Sequence, residues 1–260
     1  MTDSLHFATT RRPGNVRHLA FVHGFTQTSR SWAPILTVLG DDIDATCFDA
    51  PGHGDSARVR GDVSRTADLL AIRLREQARG SVLVGYSMGG RIALDLAVRH
   101  QSTLRGLVLI SATAGLRTET ERIERQQRDE LLAQRIEAIG VTQFVDEWLA
   151  QDLFATLTET QSNREDRRRN TASGLAASLR ECGVGSQEPL WERLASLEIP
   201  TLLIVGELDT KFRDLAAQMK ASIGANASIV VVSEAGHTAH LERPIETTAA
   251  IRRWLDVNRL

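Results

Sequence analysis

Short aliphatic runs recur along this chain, and a glycine-rich or polar loop follows most of them. His18-Leu19-Ala20-Phe21-Val22 is the first, and it empties into His23-Gly24-Phe25. Ala45-Thr46-Cys47-Phe48 leads into Asp49-Ala50-Pro51-Gly52-His53-Gly54, and Val82-Leu83-Val84 leads into Gly85. Gly106 to Ser111, Pro200 to Gly206 and Ala227 to Val232 complete the set. Runs of this length and branching suit buried strands. Between them the spacing is helical. Ser29 or Ser31 is placed to cap a helix through Leu39 that Gly40 stops. Ser64 is placed to cap another, running to Arg79, with Gly80 just beyond its end. Arg91 to Ala97 and Pro244 to Val257 read as further helices. Strands alternating with helices predict a mostly parallel sheet covered on both faces.

The texture changes from about Arg117 to Arg180, where the chain is charged, helical in period and poor in β-branched runs. The predicted organisation is therefore an α/β core of residues 1–114 and 186–260, interrupted by a helical lid at 115–185. A chain of 260 residues with 42% hydrophobic content suits one such domain. The formal charge of −2 gives no reason to expect nucleic acid. Cys47 and Cys182 lie far apart and lack metal-ligand spacing, which points away from a disulfide or zinc and toward a reducing, cytoplasmic setting. Met1 to Phe7 hold no apolar signal core, and no run approaches the roughly 18 apolar residues of a membrane span. The expectation is an intracellular monomer or small homo-oligomer without a metal.

Chemistry enters with Gly85-Tyr86-Ser87-Met88-Gly89, a G-x-S-x-G placed between a strand and a helix. The turn must be tight, and glycines two before and two after the serine remove side chains that would collide. Ser87 is pushed out where backbone N–H groups point at a developing negative charge. A serine hydroxyl needs a histidine to take its proton and a carboxylate to orient that histidine. Asp209 follows the Thr201 to Val205 strand, with Glu207 as its competitor; Asp209 lies further into the loop and is preferred. His237 follows a glycine after the last strand and is preferred over His240. This order along the chain, serine, acid, histidine, is similar to that of the α/β-hydrolases. Two backbone donors must face the oxyanion: Met88, directly after the nucleophile, and Phe25, in the loop after His23-Gly24.

Together these residues resemble the α/β-hydrolase superfamily over nearly the whole chain. A narrower resemblance rests on Val22 to Gln27 with Trp32, Asp49 to Ser56, Gly85 to Arg91, Gly206 to Phe212 and Ala235 to Pro244. The lid adds Glu124-Arg125-Gln126, Phe144 to Trp148 and Gly174 to Arg180. These stretches are similar to the 2-succinyl-6-hydroxy-2,4-cyclohexadiene-1-carboxylate synthases of menaquinone biosynthesis. That resemblance implies a lyase that eliminates pyruvate from a small anionic substrate bearing several carboxylates. It implies that the triad serine acts as a base and that no cofactor is needed. It also implies substrate contacts at Tyr86, Arg91, Arg125, Trp148, Arg167 and Lys211. Arg167 has two neighbours of the same type in Arg168 and Arg169, and Arg117 and Arg122 are further lid arginines. Arginine forks match carboxylates with two hydrogen bonds. A serine hydrolase acting through an acyl-enzyme on esters or carbon–carbon bonds shares every triad residue and is the alternative.

Overall fold

The computed structural model describes residues 4–10, 17–76 and 80–260. Parallel strands β2 (Arg17–Val22), β3 (Ile43–Phe48), β4 (Ser81–Tyr86), β5 (Leu104–Ile110), β6 (Thr201–Gly206) and β7 (Ala227–Val232) form the sheet with β1 (Phe7–Thr10). Their spatial order is β1-β3-β2-β4-β5-β6-β7. Only β1 runs antiparallel, pairing Phe7 with Phe48 at the outer edge of β3. The sequence pattern does not reveal this strand, because Phe7-Ala8-Thr9-Thr10 is too short and mixed to stand out. β4 and β6 are buried at every position, which is why they read as unbroken aliphatic runs rather than alternations.

Helices cover both faces. On one side lie α2 (Val63–Arg75), α3 (Met88–His100) and α7 (Thr210–Ile223). On the other lie α1 (Ala33–Val38) and α9 (Pro244–Val257), with the four-residue α8 (Ala239–Glu242) beside them. Ile92, Ala93, Leu94, Leu96 and Ala97 of α3 are fully buried against β4 and β5. Each such leucine or isoleucine contributes about 1.5–3 kcal/mol by leaving water.

Several local starts differ from the sequence reading. Thr28, not Ser29 or Ser31, caps the single 3₁₀ turn ahead of α1, accepting from the Arg30 amide at 3.2 Å. Asp62, not Ser64, caps α2, accepting from the Arg65 amide at 2.7 Å. Ser64 instead donates to Asp95. The described part of α2 ends at Arg75; residues 77–79, where the sequence reading extended it, lie outside the described residues, as do Met1 to Asp3. The helix after Ser87 begins at once, at Met88 rather than Arg91.

Between β5 and β6 the chain leaves the sheet to form α4 (Glu119–Leu149), α5 (Arg164–Arg167) and α6 (Ala172–Cys182). Thr118 and Glu121 make a reciprocal capping box at the start of α4. The helix kinks at Gly140, whose φ of 77° is open to glycine at little cost. Ala133, Ile136 and Phe144 of α4 pack on Leu175, Ala176 and Leu179 of α6 in a small core of their own. Phe25 and Trp148 lie against that core and join it to the end of β2.

The helix starts carry a direct test. Asp62→Ala should lower the unfolding free energy by about 1 kcal/mol, measured by urea titration. Ser64→Ala should cost less, and the reverse ranking would return the cap to Ser64.

Candidate active site

Ser87 lies in the turn from β4 to α3 with φ 50° and ψ −109°. A side chain in that region stores on the order of 1–3 kcal/mol of strain, so the surroundings must over-determine it. They do so by close approach. A Cβ on Gly89 would lie 2.1 Å from the Val22 carbonyl oxygen, and one on Gly85 would lie 2.4 Å from the Gly89 carbonyl oxygen. The Ser87 amide donates to Ile110 O at 2.9 Å, and its carbonyl accepts from the Arg91 amide at 3.0 Å.

His237 reaches this serine from the loop after β7. Its Nε2 lies 3.3 Å from Ser87 Oγ and its Nδ1 lies 2.7 Å from Asp209 Oδ2. The second oxygen of Asp209 caps α7 through the Phe212 amide. Glu207 is elsewhere: its carboxylate accepts from the Glu234 amide on the exposed side of the loop. His240 is also elsewhere, fully buried between Trp32 and Tyr86. Burial drives its pKa well below the ordinary imidazole value, with Arg167 and His237 adding to the shift. The Ser–His spacing is slightly longer than a tight hydrogen bond.

The two expected oxyanion donors flank Ser87. Among the described residues, neither the Phe25 nor the Met88 amide has a hydrogen-bond acceptor. The loop carrying Phe25 is held by two histidines whose part the sequence reading did not assign. His23 Nδ1 donates to Gly24 O at 2.8 Å, while its Nε2 accepts from the Ala50 amide at 3.0 Å. His53 Nδ1 donates to Pro51 O at 2.9 Å, while its Nε2 accepts from the Thr26 amide at 3.2 Å. Each ring therefore needs one protonated and one bare nitrogen. Burial lowers both pKa values, that of His53 to about 3 with the neighbouring His23 adding to it, so both rings are neutral. The His23-Gly24 and Pro51-Gly52-His53-Gly54 sequences were the available signal.

A cavity of about 450 Å³ opens over Ser87, within the usual range for small-molecule sites. Ser87, His237, Phe25 and Met88 form its floor, and Trp148, Leu153 and Leu179 contribute apolar wall. Arg91, Arg117, Arg125 and Lys211 line it against one acid, Glu121. A larger, open groove of about 700 Å³ lies by Arg30, Pro34 and Leu241 and holds no triad residue.

The cations differ in their fixing. Arg91 is buried on α3, donating to Gln187 Oε1 at 2.9 Å and to Cys182 O at 2.6 Å, both neutral acceptors. Desolvation lowers its pKa to about 10, and nearby Arg125 pushes the same way. Arg125 donates to Asp129 at 2.8 Å, and burial raises the Asp129 carboxyl above its ordinary value despite that pairing. Arg117 lies 3.7 Å above the Trp191 ring and donates to Gln218.

Arg167 and Tyr86 are not among the residues lining this cavity. The short α5 turns the Arg167 guanidinium inward, where Nε donates to Ser162 O at 2.7 Å and Nη1 donates to the Thr26 hydroxyl. It thus braces the residue next to Phe25. The Tyr86 ring lies between His237 and His240, at 5.4 and 4.3 Å, and covers Gly24, where a Cβ would come within 2.5 Å of it.

The alpha/beta hydrolase family model matches residues 19–251, and the chain belongs to that family. Within it, the chain is 34% identical to the 2-succinyl-6-hydroxy-2,4-cyclohexadiene-1-carboxylate synthase of Salmonella paratyphi C (strain RKS4594), covering 90% of this chain and 93% of that one. A Bacillus subtilis (strain 168) protein given the same synthase name provisionally is also 34% identical, over 94% of this chain and 92% of its own length. Among solved structures, MenH from S. aureus superposes with a TM-score of 0.92 at 29% identity over the whole of both chains. A thermophilic esterase from Thermogutta terrifontis superposes with a TM-score of 0.83 at 25% identity, covering 98% of this chain and 94% of that one.

The relay makes a sharp expectation. Ser87→Ala and His237→Ala should each lower kcat by several orders of magnitude, and the double variant little further, because the members of such a unit are not additive. Steady-state turnover also separates the acids: an active Asp209→Asn beside an inactive Glu207→Gln would overturn the assignment.

Proposed function

We propose that this chain is a 2-succinyl-6-hydroxy-2,4-cyclohexadiene-1-carboxylate synthase, a lyase of menaquinone biosynthesis. It eliminates pyruvate from 2-succinyl-5-enolpyruvyl-6-hydroxy-3-cyclohexene-1-carboxylate. The likeness to named synthases over nine-tenths of the chain supports the class. The observation that carries the substrate reading is the charge of the cavity. Four cations line it against one acid, and among the described residues the hydrogen-bond acceptors of buried Arg91 are neutral, with the Asp129 carboxyl acting on it only through space. Holding a guanidinium out of water is costly unless an anion arrives to compensate it. A neutral ester gives no reason for that arrangement; a substrate with several carboxylates does.

The same floor then serves an elimination. His237 takes the Ser87 proton through Nε2, and Asp209 stabilises the imidazolium at Nδ1. The Ser87 oxygen removes a proton from the acidic carbon of the substrate. The Phe25 and Met88 amides meet the enolate-type oxygen as it gains charge. The electrons returning from that oxygen expel the enolpyruvyl group, which leaves as pyruvate, and a ring double bond forms. Ser87 keeps the proton it removed from carbon, and His237 gives the proton it took from Ser87 to the departing enolpyruvate, which tautomerises to pyruvate, so no water is consumed. Arg91 and Arg125, with Arg117 and Lys211 beside them, hold the carboxylates, and Trp148 walls the ring. Arg167 and Tyr86 act on the floor from behind, through Thr26 and His237.

Two measurements test this reading. Arg91→Ala should reduce kcat/KM for pyruvate release by a factor corresponding to about 2–5 kcal/mol, and Arg91→Lys should rescue poorly because it lacks the fork. An unchanged value would remove the carboxylate clamp. Separately, mass spectrometry of enzyme quenched during turnover should show unmodified Ser87. A substrate-derived adduct on that serine would replace the base mechanism with the acyl-enzyme route of a hydrolase.

A further inference from the structure

The loop that carries His237 is organised by a residue that takes no part in the relay. Glu242 lies five positions later, at the end of α8, and is buried. Its Oε2 accepts from the Gly236 amide at 2.7 Å. Its Oε1 accepts from the Thr238 amide at 2.9 Å and from the Thr238 hydroxyl at 2.7 Å. One carboxyl group therefore holds the residues immediately before and after His237. The bond pattern closes on itself, because the Leu241 and Glu242 amides donate back to Thr238 O at 2.7 and 3.0 Å. No cation pairs with Glu242 among the described residues. A buried carboxyl group without an ion partner is sustained only by donors aimed at it, and here they come from the histidine loop.

The loop is also closely packed at its glycine. A Cβ on Gly236 would fall 2.3 Å from the Thr156 hydroxyl, and one on Gly206 would fall 2.1 Å from Gly236 O. The backbone on either side of His237 is thus pressed against both the helical insertion and the strand that leads to Asp209. Asp209 holds the imidazole at Nδ1, and the Phe212 and Tyr86 rings pack on it at 4.4 and 5.4 Å, contacts that hold the ring but not the backbone that carries it. The backbone that bears the ring must supply the remaining constraint.

We propose that Glu242 is a positioning residue for His237. Its two oxygens clamp Gly236 and Thr238 so that Nε2 stays within reach of Ser87 while Nδ1 stays on Asp209. This inference rests on the relay and not on the identity of the substrate.

The test uses three variants of the full chain. Glu242→Gln keeps the shape but has one acceptor oxygen, so it cannot serve Gly236 and Thr238 together. Glu242→Asp keeps the charge but is one methylene short. Both should lower kcat by about 10- to 100-fold with KM nearly unchanged, the scale expected of a misplaced catalytic group. Thr238→Val removes a single bond, keeps the fold, and should show a smaller loss in the same direction. A substrate-free readout runs alongside: the downfield proton resonance of the His237 Nδ1–H···Asp209 bond, identified by its loss in Asp209→Asn, should shift or broaden in each Glu242 variant. Full kcat and an unmoved resonance in folded Glu242→Gln, with only a lower melting temperature, would reduce Glu242 to a structural part. Full activity in Glu242→Asp alone would assign the effect to charge and likewise overturn positioning. Failure to release pyruvate from the proposed substrate, with the resonance behaving as expected, would count against the substrate and leave the clamp standing.

Discussion

The approach of Gly89 to the end of β2 is the constraint from which the site is built. With no side chain between them, α3 starts against the Val22 and His23 carbonyls, and the chain has no room to pass from β4 to α3 except through a strained residue. That residue is Ser87. The same closeness brings the loop after Val22 level with the first turn of α3, so two amides from different elements face one point. Moving either element by the width of a methyl group would separate them. The strain at Ser87 is therefore the local cost of a geometry that the whole buried sheet holds in place.

Charge is distributed in two opposite ways around that point. Below it, His23, His53 and His240 are kept neutral by burial, and their hydrogen bonds and ring contacts are with uncharged groups, while Asp49 and Arg167 act on them only through space. Above it, the helical insertion and its flanks bring arginines together with a single lining acid. The floor is thus a rigid array of oriented dipoles, and the roof is an excess of positive charge. An anion drawn in by the roof meets a floor that needs no reorganisation when negative charge grows on an oxygen.

The strands, the elbow and the relay were legible because each rests on local pattern. A buried parallel strand has to be an aliphatic run, and a G-x-S-x-G has to fall where Gly85 and Gly89 make their close contacts. Asp209 could be ranked over Glu207 from its distance past β6, and the structure turns Glu207 toward the Glu234 amide instead. What escaped was anything decided by direction. Sequence spacing put Arg167 in the insertion but did not say that α5 points it inward at Thr26. Tyr86 flanks the serine by motif, yet its ring packs into the core on the α1 and α9 side, against His237 and His240. Asp62 outranks Ser64 as a cap because Ser64 has a competing partner in Asp95, which is 31 residues away. β1 is held by pairing with β3, and no four-residue segment announces its partner.

Tyr86 has an optical consequence. It is the single tyrosine of the chain, and it lies buried against both His237 and His240. Desolvation raises its phenol above the ordinary value near 10, and Asp209 and Glu242 push in the same direction. The unfolded chain therefore gives up this proton at a lower pH than the folded one, and folding loses stability as pH rises past about 10. Every tyrosinate chromophore that this protein can form is thus tied to the packing of one ring beneath the serine. Alkaline absorbance of the whole molecule reports on the integrity of the packing beneath Ser87.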